Sequence, residues 1–60
     1  MSDQEEDRVK AAELFALARK LEAQRDYRRA REHYEESLRL SEDETVRATY
    51  LKLLAIIGPM

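Results

Sequence analysis

AAELFALARKLEAQRDYRRAREHYEESLRLS, residues 11–41, carries two helical registers separated by one polar break. In its first half Leu14, Leu17, Ala18 and Leu21 recur at the spacing of a single helix face, and Ala11 and Phe15 widen the stripe. In its second half Tyr27, Ala30, Tyr34 and Leu38 do the same, with Ser37 beside them. No glycine or proline interrupts the stretch, and only Arg25-Asp26 breaks the pattern. A turn that short makes two helices antiparallel neighbours.

Outward from this hairpin, Ser2 and Glu5 have the spacing of a capping box, with Asp3, Glu6 and Asp7 placed where a helix N-terminus favours negative charge. The first helix is therefore expected over residues 3–24 and the second over 27–40. Charges at i,i+4 line their solvent sides: Glu6 with Lys10, Arg28 with Glu32, Arg31 with Glu35, and Glu35 with Arg39. Ser41 and Glu44 form a second capping box, so a third helix is expected over 43–57, ended by Gly58-Pro59. Val46, Tyr50, Leu53, Leu54 and Ile57 make its stripe, and Leu51, Ala55 and Ile56 spread apolar surface beyond it. That excess exceeds what one helix of a three-helix monomer buries, and points to contact with another chain or a ligand.

Composition narrows the function. The chain has 60 residues, 43% hydrophobic and 40% charged, with one glycine, one proline and no cysteine. A chain of this length buries only about 60% of its unfolded surface, and without disulfides the remaining route to stability is association. A net charge of -2 gives no clustered positive field for nucleic acid. The basic strip Arg25, Arg28, Arg29 and Arg31, with Arg19 and Lys20 upstream, is followed by Glu32, Glu35 and Glu36 and reads as a salt-bridged solvated face. The longest apolar run, Leu53–Ile57, is far short of the ~20 residues that cross a bilayer, so no membrane insertion is expected and the cytoplasm is the default location.

His33 has no second histidine or cysteine with which to hold a metal, and no serine, lysine or histidine is arranged with catalytic partners. Neither an enzyme nor a cofactor is expected. The three tyrosines read as core or interface aromatics.

The chain also repeats itself. Val9, Lys10, Ala11, Leu14, Leu17 and Ala18 correspond to Val46, Arg47, Ala48, Leu51, Leu54 and Ala55, each pair 37 positions apart. The third helix thus reads as a second copy of the first. Residues 9–57 resemble a tetratricopeptide (TPR) repeat followed by the opening helix of another. Leu14, Leu17, Ala18 and Leu21 match the family's first-helix packing residues, and Tyr27, Ala30 and Tyr34 its second-helix aromatics and alanine. Ser37 stands where a second alanine is usual, Arg25 where a turn glycine is common, and Glu42 near the usual inter-repeat proline.

The resemblance implies an all-α helical hairpin plus a third helix, acting as a protein-interaction adaptor. Its peptide groove would be lined by Ala12, Phe15, Arg19 and Glu22. The apolar third helix, through Tyr50, Leu51, Leu54, Ile56 and Ile57, is expected to join two copies as a homodimer. Two other readings stand beside this one. The Tyr27-x-x-Ala30-x-x-x-Tyr34 spacing is similar to that of the microtubule-interacting-and-trafficking (MIT) domain, a three-helix binder of amphipathic helical peptides. The same stripes would also suit an excised or designed repeat unit with no client.

Overall fold

The computed structural model describes residues 3–58, which form an all-α module of three helices, α1 (Asp3–Ala23), α2 (Tyr27–Leu40) and α3 (Glu44–Ile57). Each expected helix is present, with ends moved by at most one residue. α1 and α2 form the antiparallel hairpin, and α3 packs chiefly on α2, so that α2 lies in the middle. The Ser2 half of the first capping box lies outside the described residues.

Local chemistry sets each boundary. α1 closes with the backbone N–H of Arg25 bonded to the Glu22 carbonyl at 2.9 Å and that of Asp26 to the Leu21 carbonyl at 2.9 Å. This is the paired closure of a Schellman motif, and it puts Arg25 in the left-handed region at φ 66°. Asp26 then caps α2, its carboxylate accepting the Arg29 N–H at 3.4 Å.

The second cap differs from the Ser41–Glu44 box. α2 continues through Leu40, and the Ser41 N–H bonds back to the Ser37 carbonyl, so Ser41 ends α2. Asp43 starts α3 instead, with one carboxylate oxygen accepting the N–H groups of Thr45 at 2.8 Å and Val46 at 3.1 Å. Gly58 closes α3 at φ 74°, a conformation glycine adopts without steric cost.

The core is Ala18, Ala30, Tyr34, Leu38, Val46 and Leu53, with Phe15, Leu21, Tyr27, Tyr50 and Ile57 packed around it. Ala18 on α1 and Ala30 on α2 are fully buried, and with no bulk beyond Cβ they bring the two helices close together. Leu17 departs from the expected stripe and is 42% exposed. It sits on the flank of α1 away from α3, where no third helix covers it.

Of the i,i+4 pairs that the spacing suggests, Arg31–Glu35 forms, at 3.9 Å. The other ion pairs among the described residues are Arg29–Asp26 at 3.7 Å and Arg47–Glu42 at 2.6 Å. All involve exposed or half-exposed side chains, where such pairs add little to stability.

Candidate functional site

Two surfaces are built by this packing. The first is a groove between α1 and α3, of about 540 Å³, with Arg8, Ala12 and Phe15 on one wall, Ser37 at its base, and Thr45 and Val46 on the other wall. Of the four residues expected to line a peptide groove, the structure places Ala12 and Phe15 there. Arg19 is exposed one turn further along α1. Glu22 is turned to α2, where its carboxylate accepts the Tyr34 hydroxyl at 2.6 Å.

Phe15 is half-buried, because its ring tilts onto Tyr34 with centroids 5.9 Å apart. Tyr34 continues the row to Tyr50 at 6.3 Å, so three aromatics run from α1 through α2 to α3. Burial, followed by the hydrogen bond and negative charge of Glu22, pushes the Tyr34 phenol well above its ordinary ionisation range, and Arg19 opposes this. The Tyr50 hydroxyl donates to Glu35 at 2.7 Å, and that bond, with burial and the same negative charge, raises its pKa too.

The second surface is the outer side of α3. Tyr50 and Ile57 pack on the core. Leu54 is half-buried, whereas Leu51 is 53% and Ile56 61% exposed. At about 100° per residue, Leu51 and Ile56 lie roughly 140° apart around the helix. Leu51 shares its flank with Ala48 and Ala55, both exposed, and borders Leu54. Ile56 stands on the opposite flank, on the side of the α1–α3 groove. The five residues expected to form one self-association patch are thus distributed over an inward face and two outer flanks.

Comparing the repeated residues shows what the Leu51 flank is. Ala11 and Ala18 of α1 are buried under α2, and the Ser37 hydroxyl of α2 donates to the Ala11 carbonyl at 2.7 Å. Their counterparts Ala48 and Ala55 face outward. Conversely Val46 is 6% exposed against α2, while its counterpart Val9 on α1 is 56% exposed. α1 and α3 hold α2 by different faces of one repeated sequence.

The sequence pattern alone missed Ser37 and Glu22 as partners across the α1–α2 contact. Ser37 was detectable as a hydroxyl where the repeat pattern has alanine. Glu22 carried no such signal, since it reads like any surface glutamate.

Among the described residues, no three His, Cys, Asp or Glu side chains converge as a metal site requires, and no helix is long and apolar enough to cross a membrane. The chain matches no family model, and neither the curated proteins nor the solved structures compared with it give a match.

Proposed function

We propose that this chain is a protein-interaction module, a small TPR-like adaptor that works through the open flank of α3. A second copy covers this flank when no other partner does. One observation carries the reading: Leu51 is 53% exposed between two exposed alanines, on a helix whose charged residues after Glu44 are only Arg47 and Lys52. Covering the exposed half of this leucine is worth about 1–1.5 kcal/mol.

The size of the core supports the same reading. Among the described residues, three of the seven buried apolar side chains are alanines, Ala11, Ala18 and Ala30, which contribute close approach but little apolar area. Association would add the burial that so short a chain lacks. The groove at Ala12 and Phe15 offers a second, shallower contact for a peptide side chain. Binding rather than catalysis is the role proposed.

Sedimentation of wild type and Leu51→Asp tests the proposal. The wild type is expected to sediment as a dimer at tens of micromolar and Leu51→Asp as a monomer with unchanged helicity, because Leu51 contributes little to the monomer's core. Equal mass for the two proteins would overturn it.

A further inference from the structure

We infer that the open flank of α3 is shaped for an amphipathic helix of the α2 type, supplied by a partner protein. This rests on the reading that this flank is the contact surface, and it adds what the partner must look like. Such a face is occupied at one place among the described residues, where α2 packs on α1.

On α1, Ala11 and Ala18 let α2 approach closely enough for the Ser37 hydroxyl to reach the Ala11 carbonyl at 2.7 Å. Beside them Lys10, Glu13, Leu14 and Leu17 line one crevice with Glu36 and Leu40 of α2, so leucines face a leucine and the cation has an acid of α2 across from it. α3 repeats this set 37 positions later as Arg47, Ala48, Leu51, Leu54 and Ala55, with Tyr50 in place of Glu13. Ala48, Leu51 and Ala55 lie exposed.

A visiting helix that carries α2's contact pattern finds the alanines, leucines and cation of α1 again, with Lys52 and Pro59 in place of the Phe15 and Glu22 that meet Tyr34. Its alanine and aromatic, four apart as in Ala30 and Tyr34, would lie over Ala55. Its hydroxyl, at the position of Ser37, would reach the Ala48 carbonyl. An acid one residue earlier, as Glu36 is, would face Arg47 and share it with Glu42, whose carboxylate lies 2.6 Å from the Arg47 guanidinium. The acidic edge is part of the match, since residues 45–57 contain two cations and no acid. A second copy is the poorer fit, because its own α2 presents this face to its own α1.

The test titrates an end-blocked peptide of residues 26–41 into the full-length, isotope-labelled chain, following amide shifts by NMR. Saturable shifts confined to residues 47–55 are expected. Leu51→Asp and, separately, Ala48→Leu in the chain should each weaken binding at least about ten-fold. Both positions are exposed, so circular dichroism should show both variants folded. Ala30→Leu in the peptide should do the same by preventing close approach.

Shifts at residues 11–18 instead would mean that the peptide displaces the chain's own α2, and would overturn the inference. So would the absence of peptide binding in a chain whose mass still depends on Leu51; the flank then serves a second copy, and the interaction reading stands without the inference. If Leu51→Asp changes neither mass nor peptide binding, both fall.

Discussion

Ser37 is the one buried polar side chain among the described residues, and its hydroxyl donates across the α1–α2 contact to the Ala11 carbonyl at 2.7 Å. Removing donor and bond together leaves no unpaired group, since the Ala11 carbonyl keeps its place in the helix. Ser37→Ala should therefore cost only about 1 kcal/mol or less in urea unfolding. Ser37→Leu should cost about 1–3 kcal/mol or more, because the added carbons must fit against Ala11 without room to do so. A loss as small as alanine's would mean the contact is looser than 2.7 Å implies. Tyr34 gives a pH prediction with a definite sign. Its phenol ionises at higher pH folded than unfolded, so above the ordinary tyrosine value of about 10 the unfolded chain releases a proton that the folded one retains. The contribution is full below that value and is lost progressively as pH rises from it toward the raised folded value. Unfolding stability should fall above about pH 10, and more steeply in wild type than in Tyr34→Phe. Tyr50, shifted the same way, leaves the variant a residual slope.

At the scale of the element, the helix ends carry the predictions. Arg25 holds φ 66° at the end of α1, a conformation that costs a non-glycine residue on the order of 1 kcal/mol. Arg25→Gly should raise the melting temperature, and a lowered one would mean that the Arg25 side chain makes a stabilising contact. Asp43→Ala should cost about 1 kcal/mol, since two α3 N–H groups lose their acceptor. Asp26→Ala should cost less, its bond being 3.4 Å long. The helices themselves were legible in the sequence because Leu14, Ala18 and Leu21, then Ala30, Tyr34 and Leu38, keep one face each with no breaker between. The cap of α3 was not. Ser41 and Asp43 are both good capping residues, and the choice between them depends on α2 running to Leu40 and using the Ser41 N–H. Arg25 was legible as the turn position where glycine is usual, and the structure gives it glycine's conformation. Spacing places Leu17 on the apolar stripe, but it reports the stripe and not its cover. Which flank of α1 is covered depends on α3 packing against α2, and no local pattern encodes that.

At the scale of the whole molecule, α2 is held on both sides and the outer helices each keep an open face. Leu53, fully buried, anchors α3 to α2, and Leu53→Ala should cost about 2–5 kcal/mol. For a chain of 60 residues that approaches or exceeds the whole stability. The candidate surface was half legible: excess apolar residues on α3 were apparent from Leu51 and Ile56, but their separation onto different flanks, and the inward packing of Tyr50 and Ile57, needed the position of α2. The internal repeat carried the rest, since it marks Ala48, Leu51 and Ala55 as a face already used once in the same molecule. In the proposed assembly, covering this face adds stability to a monomer that already folds. A dilution series followed together by light scattering and circular dichroism tests it most directly. Mass and melting temperature are expected to fall over the same concentration range while helicity at room temperature is kept; a chain that stays monomeric, with a melting temperature independent of concentration, would contradict this.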